Sequence, residues 1–163
     1  MKVTRVFRHG NTPKKERTHE AVKCREKPMT GEAVLIVEDE GLLTLHLTEM
    51  LEQSGYQVRE PANSGEMALE ALEKCPKPDI ILMDIGLAGS LDGIDTARKI
   101  QQRFLVPVIF ITAFSSESVL PKMIGVTQNG VVVKPFVDAE LLDLIRKALT
   151  HFQSQQAPPN ITE

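Results

Sequence analysis

Four short apolar runs in this chain each end on a group that can do chemistry. Val34–Val37 is followed by Glu38 and Asp39, Ile80–Met83 by Asp84, Val108–Ile111 by Thr112, and Val131–Val133 by Lys134. A single polar residue after a strand usually starts a turn or caps a helix. Four such endings on four runs point to one shared site, because the carboxyl ends of the strands in an open parallel sheet border a common crevice where ligands bind. Three carboxylates, a hydroxyl and an ammonium would converge there, although Glu38 and Lys134 are 96 positions apart.

Electrostatics narrows the ligand. Crowded carboxylates raise one another's pKa unless a cation neutralises them. A few hard oxygen ligands suit Mg²⁺, which keeps several waters and shares its shell with phosphoryl oxygens. Asp39 and Asp84 are expected as direct ligands, and Glu38, one methylene longer, through a coordinated water. Lys134 supplies a positive point charge that pairs with a carboxylate at rest and with phosphoryl oxygens after transfer. Thr112 can donate its hydroxyl to the same oxygens. Asp84, on the central run, is the natural nucleophile: a carboxylate can form an acyl phosphate while Mg²⁺ and Lys134 stabilise the charge in transfer.

The elements that must position these groups follow from patterning. Ala33–Val37 is a continuous β-rich run, as expected of a strand buried on both faces. A helix is expected from about Glu40 to Ser54, with Leu43, Leu47, Met50 and Leu51 at helical spacing and Gly55 ending it. Tyr56–Glu60 reads as a short second strand. Asn63 or Ser64 can cap a second helix carrying Met67, Leu69, Ala71 and Leu72, and Met50, Met67 and Met83 are expected on core faces or strands. Asp79–Met83 and Val108–Ile111 are further strands, separated by a glycine-bearing loop (Gly86–Gly93), read as a mobile connection, and a helix from Ile94 to Phe104. Pro121 argues for a short or broken helix within 115–127. Val131–Val133 is the fifth strand, and a last helix from Asp138 points Leu141, Leu142, Ile145 and Leu149 inward. Five strands alternating with helices make an α/β fold, a parallel sheet with helices on both faces.

The segments Leu35-Ile36-Val37-Glu38-Asp39-Glu40, Leu82-Met83-Asp84, Ile111-Thr112-Ala113 and Val133-Lys134-Pro135-Phe136 together resemble the receiver domain of bacterial response regulators, from about Ala33 to Phe152. The resemblance implies a doubly wound five-stranded sheet of order 2-1-3-4-5, flavodoxin-like. It implies a phosphorelay switch in two-component signalling in which Asp84 takes a phosphoryl group from a phosphohistidine on a sensor histidine kinase or histidine phosphotransfer protein. Glu38, Asp39, Asp84 and the backbone carbonyl of Gly86 would arrange Mg²⁺. Thr112 would swing toward the phosphoryl group, Lys134 would contact it, and the Lys134–Pro135 bond would be cis. Val131 occupies the position where the family usually carries an aromatic switch residue, so the output route is expected to differ.

Composition sets the remaining bounds. The hydrophobic share of 42% and charged share of 25% are those of a globular chain. No apolar run approaches the roughly 20 residues of a membrane span, and no signal peptide is evident, so a cytoplasmic protein with no membrane contact is expected. Two cysteines, Cys24 and Cys75, make a disulfide framework or zinc site improbable. Residues 1–31 hold nine basic and three acidic residues. This basic N-terminal extension reads as a solvated, disordered arm, an over-early start or, less favoured, a nucleic-acid contact. Residues 32–152 form the receiver domain and 153–163 a disordered tail, leaving a stand-alone module that acts through an unknown downstream protein. Three rival readings remain at this stage: a magnesium-dependent phosphatase or phosphotransferase, which would need an acid where Gly86 stands; a receiver that is never phosphorylated; and a nucleic-acid-binding regulator.

Overall fold

A computed structural model of the chain describes residues 31–156 except Ser115 and Thr127. The expectations for the basic arm, residues 1–30, and for residues 157–163 lie outside the described residues. Five strands form one sheet: β1 (Ala33–Val37), β2 (Gln57–Val58), β3 (Ile80–Asp84), β4 (Val108–Thr112) and β5 (Gly130–Val133). The order is β2-β1-β3-β4-β5 and every pairing is parallel.

The helices are α1 (Gly41–Gln53), α2 (Gly65–Lys74), α3 (Gly93–Gln101), α4 (Ser116–Val119) and α5 (Asp138–Gln156). A 3₁₀ turn, Leu120–Met123, continues α4 and holds Pro121, the broken helix that this proline predicts. α5 runs past the boundary expected at Phe152.

Alternate strand residues serve opposite layers. Leu35, Val37, Ile81, Met83, Val108 and Phe110 pack with α2 and α3 residues such as Leu72, Ile94, Ala97 and Ile100. Val34, Ile36, Ile80, Leu82, Ile109 and Ile111 pack with Leu47 and Leu51 of α1 and Leu141, Ile145 and Leu149 of α5. The two-residue period of a strand thus gives each apolar run two buried faces.

The structure corrects several sequence readings. Met67 is 45% exposed, and Ala68 faces the core in its place, beside Leu72 as expected. Gly65 explains the shift: a Cβ there would stand 2.0 Å from Thr96 Oγ1, so α2 approaches α3 through its smallest residues. β2 is shorter than expected because it lies at the sheet edge; beyond it, bonds from Arg59 N–H to Val34 O and from Ala62 N–H to Ile36 O carry the chain alongside β1. Cys75 is the C-cap of α2, its backbone N–H donating to the Ala71 carbonyl at 2.9 Å. Among the described residues, no helix is long and apolar enough to cross a membrane.

Candidate functional site

The carboxyl ends of β1, β3, β4 and β5 deliver the predicted groups to one edge of the sheet. Glu38 and Asp39 follow β1, Asp84 and Thr112 are the last residues of β3 and β4, and Lys134 follows β5. Glu38 is 3% exposed, Asp84 6% and Thr112 0%, whereas Asp39 is exposed. One carboxylate oxygen from each of Glu38, Asp39 and Asp84 lies within 4.8 Å of the others. The sequence reading placed these residues together, and the fold does so.

Lys134 ties the cluster. Its Nζ donates to Glu38 Oε2 at 2.9 Å and to Asp84 Oδ2 at 3.1 Å. Its backbone N–H donates to the carbonyl of Thr112 at 2.7 Å, which fixes the start of the side chain next to β4. The Lys134–Pro135 peptide is cis.

Backbone amides aim the carboxylates. Gly86 N–H donates to Asp84 Oδ1 at 3.0 Å, Glu40 N–H to Glu38 Oε1 at 3.1 Å, and Ala88 N–H to Asp39 Oδ2 at 3.0 Å. Both oxygens of Glu38 are therefore engaged, while Asp39 Oδ1 has no partner among the described residues. The two carboxylates therefore differ in how far backbone and lysine donors already occupy them.

Charge and burial oppose one another here. Burial pushes the Glu38 carboxyl above the ordinary glutamate range; the Lys134 and Glu40 hydrogen bonds pull it back, and the Asp84 charge adds to the rise. For Lys134 burial favours loss of the proton, but the bonds to Glu38 and Asp84 outweigh it and the ammonium is held above its ordinary value. Three hard carboxylates with one ammonium retain a net negative charge, a donor set that fits a small divalent cation such as Mg²⁺.

Thr112 Oγ1 accepts the Phe114 N–H at 3.0 Å. Val131 is half-buried, pairs in register with Phe110 and packs on the α2–α3 layer. Among histidines, His46 is a surface residue bonded to Asp138 at 2.8 Å, remote in chemistry from the acidic cluster.

Asp92 and Asp95 read from the sequence as groups serving the start of α3, and the structure bears this out, but the close approach of Gly93 to β3 was not read. Asp92 caps α3 by accepting from Asp95 N–H at 2.8 Å. Gly93 lies so close to β3 that a Cβ would stand 1.9 Å from the Asp84 carbonyl oxygen. Such approaches leave a glycine as their only trace in a sequence.

Comparison with known proteins agrees with this geometry. The family model described as the response regulator receiver domain matches residues 34–146. The transcriptional regulatory protein PdtaR of Mycobacterium tuberculosis is 35% identical over 120 residues, 74% of this chain and 58% of that protein. CpxR of Escherichia coli is 36% identical over 127 residues, 76% of this chain and 52% of that protein. The chain thus spans little more than half the length of these curated relatives. Among solved structures, the N-terminal domain of a response regulator/sensory box/GGDEF protein from Carboxydothermus hydrogenoformans superposes with a TM-score of 0.72 at 36% identity, covering 77% of this chain and all of that one. The receiver domain of the sensor histidine kinase PA1611 from Pseudomonas aeruginosa, which has a magnesium ion coordinated in its active-site cleft, gives a TM-score of 0.67 at 29% identity, covering 74% and 99%. The chain belongs to the response regulator receiver domain family.

Proposed function

We propose that Asp84 accepts a phosphoryl group from a phosphohistidine on a sensor histidine kinase or histidine phosphotransfer protein, in a Mg²⁺-dependent reaction, and that the phosphorylated state switches contacts with a further protein. The observation that carries this reading is the double contact of Lys134 Nζ with Asp84 and Glu38 beside a three-carboxylate cluster. A carboxylate used only for structure has no need of two acidic neighbours.

Glu38, Asp39, Asp84 and the carbonyl of Gly86 would hold the cation, which supplies charge neutralisation for the transferring phosphoryl oxygens. Asp84 attacks phosphorus through a carboxylate oxygen; the P–N bond to a donor histidine protonated on its other ring nitrogen breaks as the O–P bond forms, the departing nitrogen keeps the bonding pair, and the ring leaves as neutral imidazole. Lys134 then moves its ammonium from the carboxylate to a phosphoryl oxygen. Thr112 turns its hydroxyl to donate to another, releasing the Phe114 amide. The loop after β4 responds, and the two packings exchange populations.

Acetyl phosphate labelling with and without Mg²⁺, followed by peptide mapping, tests the proposal. Label is expected on Asp84 alone, only with Mg²⁺, and absent from Asp84→Asn. A label on another residue, or one indifferent to Mg²⁺, would overturn it.

A further inference from the structure

The β3–α3 loop is expected from sequence to be a loose connection, yet it is tied to acidic groups on two other elements. Ala88 N–H donates to Asp39 Oδ2 at 3.0 Å. Two residues on, the Ser90 hydroxyl donates to Glu66 Oε1 in the first turn of α2. Between them Gly89 takes φ +133°, a conformation that favours glycine, so the chain reverses from one acidic partner to the other. Leu87, just before, is buried in the α2–α3 layer, which anchors the near end of the loop.

We propose that Ser90 and Glu66 form a clasp that positions Asp39 for the divalent cation through the intervening Gly89 and the Ala88 amide. The inference rests on the Mg²⁺ reading of the site and adds two positioning residues that do not touch the ion. Asp39 is exposed, so solvent leaves its carboxylate plane free to rotate. The Ala88 N–H holds Oδ2 and so fixes the plane of a carboxylate that has one oxygen within 4.8 Å of Glu38 and Asp84 oxygens. That amide is a useful guide only while residues 88–90 stay in place, and the Ser90–Glu66 bond closes the far end of this exposed segment. The same bond, above all other causes, holds the Glu66 carboxyl below its ordinary range. Hydrogen-bond partners of metal ligands commonly govern affinity in this way.

The test is Mg²⁺ titration calorimetry on the full chain, with metal-free thermal unfolding run alongside. Ser90→Ala and Glu66→Ala are each expected to weaken Mg²⁺ binding about tenfold while leaving the metal-free melting temperature near that of the unaltered protein. The double variant should lose no more than either single one, because both remove one bond. Glu66→Gln keeps an acceptor oxygen and should retain most of the affinity. Unchanged affinity in the two alanine variants, independent losses that multiply, or a Glu66→Gln loss as large as that of Glu66→Ala would each overturn the clasp. Asp39→Asn separates the two levels. If it binds Mg²⁺ as well as the unaltered chain, the cation site itself is wrong; if it alone loses binding, the site stands and the clasp falls.

Discussion

Lys134 Nζ reaches Asp84 Oδ2 at 3.1 Å from the end of β5 to the end of β3, across the whole width of β4. The lysine's four-carbon stem spans that strand, and its ammonium offsets charge that the sheet has brought together. Removing it leaves Glu38 and Asp84 buried beside each other without a cation.

Lys134→Ala should therefore destabilise the metal-free protein by about 1–3 kcal/mol, less than for a fully enclosed pair because the lysine side chain is partly solvated. Mg²⁺ binding should survive, and the gain in melting temperature on adding Mg²⁺ should exceed that of the unaltered chain. Denaturation in EDTA and in saturating Mg²⁺ measures both. The response to phosphorylation should be lost, since no ammonium remains to meet the phosphoryl oxygens.

Glu38→Gln should act in the opposite direction on stability. Burial, foremost, holds the Glu38 carboxyl above the ordinary range, so the folded state binds this proton more tightly than the unfolded chain. Its contribution is greatest below the ordinary glutamate pKa and declines as pH rises through the raised value. The Lys134 proton is held above its ordinary value, and its contribution stays constant through this range. At neutral pH the glutamine variant should melt about 2–5 °C higher in EDTA, with the advantage shrinking toward acid and the stabilisation by Mg²⁺ diminished. Thermal scans across acid to neutral pH report all three.

Gly93→Ala should unfold with about 3 kcal/mol less stability, because its Cβ would meet the Asp84 carbonyl at 1.9 Å and the carbonyl carbon at 2.8 Å, both rigid backbone atoms. Gly41→Ala is the control. Nothing lies within 4 Å of its notional Cβ, and the change should be neutral or stabilising by about 0.5 kcal/mol. Urea titrations of the two variants should move in different directions or by very different amounts.

Thr112→Val deletes the acceptor for the Phe114 amide and should cost about 1 kcal/mol. Label should still reach Asp84. The amide resonance of Phe114, which is expected to shift on labelling of the unaltered chain, should stay fixed in this variant and recover its response in Thr112→Ser.

Most of the architecture was legible because burial on two faces leaves continuous apolar runs, and because the polar residue ending each run is the one at the sheet's carboxyl edge. Glu38, Asp39, Asp84, Thr112 and Lys134 could be read from that pattern alone. Met67 was misread for a physical reason: helical spacing marks a stripe but does not say whether large or small residues fill it, and here Gly65 and Ala68 bring α2 onto α3. The amides of Glu40, Gly86 and Ala88 were invisible, since every residue but proline carries an N–H and side-chain identity does not show where it is aimed. The Ser90–Glu66 contact joins residues 24 apart that follow no shared motif.

The hydrogen bond from Lys134 to Glu38 closes a loop of 96 residues. A nascent chain that has made only its first four strands has gathered every acid of the cluster but not the cation that reconciles them. The last strand thus completes the charge balance of the cluster, because only it brings the ammonium to acids that the earlier strands have already gathered.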